Sequence, residues 1–209
     1  MKTRGILALI SVVVLILLQA CGSPQATLRT TATPITKWKK ISADNVEISL
    51  PDNYIGGDVA TDLDIIVGKL GEFGSKYQSK IDALKENQSL FKIYAFDPVI
   101  GDSGYLTSAI IYYLDMGSKT TLDACTEASL NGRPSSWKII NQKDVQLGQY
   151  EAKQATLELT EKSVTASILS YYIEHGNICY IITYVTAKEE FDDRLPVFEQ
   201  SANTFNILH

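Results

Sequence analysis

The chain has 209 residues, 45% of them hydrophobic and 21% charged, with a formal charge of −5, 13 glycines, 6 prolines and 3 cysteines. That composition belongs to a globular protein rather than a disordered or fibrous one. An acidic balance speaks against nucleic acid and against electrostatic docking on anionic lipid, both of which favour basic surfaces.

The first twenty residues have the three parts of a secretory signal: a basic start at Lys2 and Arg4, an apolar core, and small residues at the exit. From Ile6 to Leu18 only Ser11 is not aliphatic. A helix of that length spans roughly 20 Å against roughly 30 Å of hydrocarbon, which is short for a permanent span. The run closes on Leu18-Gln19-Ala20-Cys21. This resembles the lipobox of bacterial lipoproteins, with an apolar residue three before the cysteine and a small one directly before it. Gln19 is the less usual occupant of the middle position. The resemblance implies that residues 1–20 are a cleaved signal peptide and that Cys21 is the lipidation site, carrying acyl chains of the palmitate kind. One chain gives only marginal binding, at about 0.8 kcal/mol per buried methylene, so two or more are needed to hold. Removing Lys2 and Arg4 leaves 17 basic against 24 acidic residues, a formal charge of −7.

Residues 21–37 are rich in Thr, Ser, Pro and Ala and lack a hydrophobic period. Such a segment cannot bury enough apolar surface to offset its ordering entropy, so it reads as a flexible tether holding the domain some 20–25 Å from the membrane. The expected location is therefore extracytoplasmic and membrane-anchored, on the cell membrane or the outer membrane.

The folded part is expected over 38–209, a length suited to a single domain. "KWKKIS" and "NVEISLP" read as a first hairpin, in which Val46, Ile48 and Leu50 alternate with polar residues and Pro51 ends the strand. Leu63, Ile66, Leu70, Phe73, Tyr77, Ile81 and Leu84 then follow helical steps of three and four, with Thr61 or Asp62 as the N-cap. Gly68, Gly71 and Gly74 interrupt this helix at about 1 kcal/mol each, which predicts close packing against a neighbour as compensation.

"LFKIYAF" (90–96) and "LTSAIIYYLDM" (106–116) read as strands joined by a turn-rich loop, and "TLDACTEASL" as a short helix. "WKIINQKDVQL", "QYEAKQATLEL", "TASILSYYIEH" and "ICYIITYVTA" are four further strands, the last two meeting across His175-Gly176-Asn177. A final helix over about 188–203 turns Phe191, Leu195, Phe198 and Ala202 inward, with Pro196 suggesting a kink or a broken first turn. Hairpin-joined strands with helices between them predict an α+β fold, a mostly antiparallel sheet sandwiched by helices.

The order resembles the family of PsbP, the extrinsic photosystem protein, and its bacterial lipoprotein relatives. The residues that carry this are Trp38, the segment Ile48 to Tyr54, the hairpin "LGQYEAKQATLEL" and the closing "FEQSANTFNI". The resemblance implies an α/β/α sandwich working as a binding or accessory module for a membrane or envelope complex whose protein partner is unknown. The alternative is a small-molecule or lipid-binding lipoprotein, and a hydrolase trails behind. No photosynthetic role is carried over, since no metal or photosystem contact set maps onto the chain.

Catalytic signatures are thin. Gly101-Asp102-Ser103-Gly104 looks like the nucleophile motif of chymotrypsin-type proteases, but those need a histidine before the serine, and the first candidate histidine is His175. Gly, Asp and Ser favour turns for their own reasons, so "GDSG" reads as a turn. His175 and His209 with two unlipidated cysteines lack zinc spacing, and no phosphate cradle is present. The acidic clusters Asp62/Asp64 and Glu189/Glu190/Asp192/Asp193 read as solvated helix starts. No cofactor, metal or catalytic residue is therefore assigned.

The pairs Tyr112-Tyr113 and Tyr171-Tyr172 should send one ring to each face of the sheet. A ligand site, if present, is expected where such a ring reaches a sheet edge beside the loop from Asp97 to Tyr105. An oxidising location permits a disulfide between Cys125 and Cys179, but small core cysteines are common, and the reading taken is two buried free thiols.

Overall fold

The computed structural model describes residues 37–208 apart from Asp102, Gly132, Pro134, Ser135, Lys162 and Ser163. Residues 1–20, read above as a signal peptide, the residues before Lys37 read as a tether, Cys21 and His209 lie outside the described residues.

A seven-stranded antiparallel sheet runs through the middle of the domain in the order β3-β4-β5-β9-β8-β7-β6. Its strands are β3 (Ile55–Asp58), β4 (Phe91–Phe96), β5 (Ser108–Asp115), β6 (Trp137–Leu147), β7 (Tyr150–Glu161), β8 (Val164–His175) and β9 (Ile178–Ala187). A smaller antiparallel sheet, β1-β2-β10, is built from β1 (Trp38–Ala43), β2 (Val46–Pro51) and β10 (Asn206–Ile207). Among the described residues four α-helices complete the fold: α1 (Val59–Glu72), α2 (Gln78–Glu86), α3 (Leu122–Leu130) and α4 (Phe191–Ala202). The fold is α+β, a mostly antiparallel sheet between helical layers.

Each face of the large sheet carries its own core. On one side Ile66, Leu70, Ile81, Leu84 and Cys125 from α1, α2 and α3 pack with Tyr94, Tyr112, Tyr172 and Ile181. On the other, Val46, Ile48 and Leu50 of the small sheet and Phe198 and Ala202 of α4 pack with Ile93, Ile111, Tyr171 and Tyr184. The alternation read from "NVEISLP" thus points its apolar set onto the large sheet. The tyrosine pairs divide as period-two strands require: Tyr112 and Tyr172 join the α1–α3 core, Tyr113 and Tyr171 the other. Tyr184 and Phe198 stack at 4.8 Å and 15°, a contact worth about 0.5–1.5 kcal/mol beyond its buried area.

Turns sit where the chain can make them. Asp44 takes a left-handed φ of 51° in the β1–β2 turn, a conformation Asp tolerates better than most residues. The β8–β9 hairpin is tight, with His175 paired to Ile178 and Gly176 supplying φ of 68°.

Three sequence expectations are corrected. The long helix is two, because Gly74 adopts φ of 96° and ψ of 177°, outside helical space; the chain ends α1 there, makes a 3₁₀ turn over Ser75–Tyr77 and restarts as α2. The N-cap is Asp58, whose Oδ1 accepts from Ala60 N at 2.9 Å, rather than Thr61 or Asp62. Gly68 and Gly71 compensate nothing by close packing, since a Cβ on either meets no atom within 4 Å. The close approach is at Gly56, on a strand the periodicity did not reveal: with φ of 129°, any Cβ there would collide with the Tyr94 carbonyl.

A fourth correction is covalent. Cys125 on α3 and Cys179 on β9 form a disulfide with a Cα separation of 5.4 Å, well inside the usual range, rather than two free thiols. Both residues are fully buried.

Candidate functional site

The loop after β4, beside which a ligand site was sought, is organised around a partly buried ion-pair network. Asp97 is 7% exposed, and its two oxygens have different tasks. Oδ1 accepts from the backbone N–H of Val99 at 3.0 Å and from Asn53 Nδ2 at 3.1 Å. Oδ2 accepts from Arg194 Nη1 at 2.8 Å. Arg194 reaches back one turn of α4 to give its Nε–H to Glu190 Oε2 at 2.9 Å. Glu190 Oε1 accepts the hydroxyl proton of Ser103 at 3.1 Å, and Ser103 Oγ accepts from Tyr105 N at 3.1 Å. Tyr54 is buried beside the same guanidinium; burial pushes its hydroxyl well above the ordinary phenol range, and the cation only partly offsets this. Burial opposes the charge on Arg194 most strongly, but the hydrogen bond to Asp97 together with the fields of Tyr54, Asp97 and Glu190 outweighs it and raises its pKa.

This arrangement clamps the loop onto α4. A Cβ on Gly101 would collide with the Glu190 carboxylate and displace it from this arrangement. Ser103, the serine of "GDSG", spends its proton on a carboxylate already held by an arginine, and His175 sits at the β8–β9 turn rather than as its base. Asp102 lies outside the described residues. Glu190, read as part of a solvated helix start, is instead a clamp residue. The signal for the clamp was in the sequence: Arg194 directly follows the acidic run Glu189, Glu190, Asp192 and Asp193 and stands four residues after Glu190, the spacing of a helical ion pair.

A second cluster lies between α2 and the sheet. Lys80 is 2% exposed, its ammonium stands 5.8 Å from the centroid of the Tyr105 ring, and no carboxylate among the described residues pairs with it. Burial pulls its pKa down from 10.5 to about 8. Lys80 falls three residues after Tyr77 and four before Leu84, on the buried stripe of the helix, so its position was legible even though its type argued for solvent.

The sign of the effect follows from linkage. The folded pKa is the lower one, so unfolding takes up a proton between about pH 8 and 10.5, and Lys80 makes stability rise with pH across that window. Below pH 8 its charge is a standing cost. Lys80→Met should therefore stabilise the domain at pH 7 by about 2 kcal/mol, the desolvation gain being offset in part by the lost ring contact. The gain should vanish as pH rises to 10.5. Urea unfolding of both proteins at pH 7 and pH 10 measures this; a variant less stable than wild type at pH 7 would show that the charge is compensated in the fold.

Among the described residues no cluster of His, Cys, Asp and Glu could hold a metal ion, and no helix is long and apolar enough to cross a membrane.

No family model matches the chain, and no similar curated protein is found. Solved structures do resemble it. Cyanobacterial PsbP from Synechocystis shares 13% identity over 91% of this chain and 98% of its own, with a TM-score of 0.50. LpqN of Mycobacterium tuberculosis, a protein described as involved in cell envelope biogenesis, shares 7% identity over 83% of this chain and 91% of its own, also with a TM-score of 0.50. At such identities the likeness shows the fold, which is PsbP-like.

Proposed function

We propose that the chain is a lipid-anchored, extracytoplasmic module that works by binding, as an accessory to a membrane or envelope protein complex. The observation that supports this best is the Cys125–Cys179 disulfide, because such bonds persist in oxidising compartments outside the cytoplasm. It agrees with the signal-like start and with Leu18-Gln19-Ala20-Cys21 as a lipobox, independent features at the other end of the chain. The description of LpqN as an envelope-biogenesis protein fits the same setting. The binding reading draws on the polar residues themselves: Ser103, Asp97 and Glu190, the groups a hydrolase would need free, are engaged in a structural clamp.

The experiment is Cys21→Ser. Expressed with labelled palmitate, the wild type should incorporate label and mature to a shorter form; the serine variant should accumulate as an uncleaved precursor without label while its domain still folds. Label entering the variant would end the proposal for Cys21, and the membrane fraction of the wild type supplies the material for partner co-purification.

A further inference from the structure

The loop between α3 and β6 holds an arginine that no carboxylate among the described residues pairs with. Arg133 Nε donates to the Ser129 carbonyl at 3.1 Å, and Nη2 donates to Ser129 Oγ at 3.3 Å and to the Tyr172 hydroxyl at 3.1 Å. Its Cζ stands 5.0 Å from the centroid of the Trp137 ring, a cation–π contact. These contacts cap the end of α3 and fix the plane of the guanidinium. They leave Nη1 buried with no hydrogen-bond partner, and the indole Nε1 of Trp137 is in the same condition. No carboxylate among the described residues forms an ion pair with Arg133.

Helix capping accounts for Nε and Nη2 but not for the rest. A buried donor left unpaired costs about 1–3 kcal/mol, more when it is charged, and here two such donors belong to stacked neighbours. The other polar groups at the site are hydroxyls: burial pushes Tyr112 up to about 12, Tyr172 accepts from the arginine, and Ser129 does the same. The local charge is therefore a fixed +1 on a chain that is acidic as a whole. Apolar surface follows Trp137 along the same strand. Ile139 and Ile140, two and three residues along β6, are 49% and 45% exposed where a register shift between Ile139 and Asn141 leaves Ile140 without a strand partner.

From this we infer that Arg133 and Trp137 form a binding site for an apolar monocarboxylate. The carboxylate accepts from Arg133 Nη1 and Trp137 Nε1, and its hydrocarbon part covers Ile139 and Ile140. Carboxylate is favoured over a larger or doubly charged oxyanion because two donors and one positive charge match two oxygens and one negative charge, and because the exposed residues next along β6 after Trp137 include Ile139 and Ile140, which offer no further side-chain donors. The site stands apart from the lipid anchor, so its failure would leave lipidation at Cys21 untouched.

The test uses the full lipidated chain in nanodiscs of zwitterionic lipid, with its two tryptophans labelled as 5-fluorotryptophan and empty nanodiscs as the blank. Hexanoate should shift the Trp137 fluorine signal saturably and leave that of Trp38 in place, while hexanol and inorganic phosphate should be about tenfold weaker. Arg133→Gln should weaken hexanoate about tenfold or more, read by thermal shift as well as by fluorine signal. Trp137→Phe, which keeps the ring and removes the donor, should weaken it about fivefold by thermal shift. A Trp137 signal that hexanoate does not saturate, phosphate or hexanol binding as tightly as hexanoate, or affinity unchanged in both variants would overturn the assignment.

Discussion

Replacing Cys125 and Cys179 together by alanine is expected to destabilise the domain by about 4 kcal/mol and to lower its Tm by roughly 8–16 °C. The bond closes a chain segment with a sequence separation of 54, and the chain-entropy model gives about that magnitude for a loop of this length. Position adds to length. The fully buried residues of α3 are Cys125, Thr126 and Ser129, so this helix docks with little apolar area of its own. Cys179 lies on β9, hydrogen-bonded between β5 and β8 in the middle of the large sheet. The bond thus ties a helix with little buried apolar area to a strand paired on both sides. Hydrogen exchange should locate the loss: α3 amides should open early in the variant, while the β8–β9 ladder keeps its protection until global unfolding. A change below about 1 kcal/mol, with α3 protection intact, would mean that the two cysteines serve only as core fillers.

That bond marks the boundary of what the sequence discloses. Local period carries local elements: Val46, Ile48 and Leu50 fix the face of β2, and the tyrosine pairs fix the faces of β5 and β8, because side-chain alternation is a property of a few consecutive residues. Pairing between Cys125 and Cys179 is a property of the whole topology, which brings α3 over β9, and no spacing encodes it. β3, with the sequence Ile-Gly-Gly-Asp, has no apolar alternation to read; its glycines answer to the Tyr94 backbone and the Asp62 side chain. β10 is two residues long and exists through its pairing with β2. The split of the long helix was marked by Gly74, but an interrupting glycine and a terminating one differ only in φ. The candidate sites follow the same division. The clamp on the loop from Asp97 to Tyr105 could not be read from local pattern because Arg194, nearly a hundred positions away, folds back onto it.

Removal of Arg194 is the sharper probe of that clamp. Arg194→Met keeps the length and the apolar stem of the side chain on α4 while deleting the cation. Asp97 then remains nearly enclosed with only the Val99 N–H and Asn53 as partners, and Glu190 keeps only the Ser103 hydroxyl. Breaking a buried pair by deleting one member typically costs 3–5 kcal/mol, because the survivor is an uncompensated charge rather than merely a lost contact. A loss of about 3 kcal/mol by urea unfolding is therefore expected at pH 7. The same logic predicts a partial rescue. Arg194→Met combined with Asp97→Asn removes the stranded charge while the amide carbonyl still accepts from Val99, so the double variant should be more stable than Arg194→Met alone. An exposed ion pair behaves differently: Lys69 and Glu72 meet at 2.9 Å on the surface of α1, and Lys69→Met should change stability by less than about 0.5 kcal/mol. If Arg194→Met behaves like Lys69→Met, or if adding Asp97→Asn makes matters worse, the Asp97 carboxylate is supported by its hydrogen bonds alone and the loop does not depend on α4 for its place.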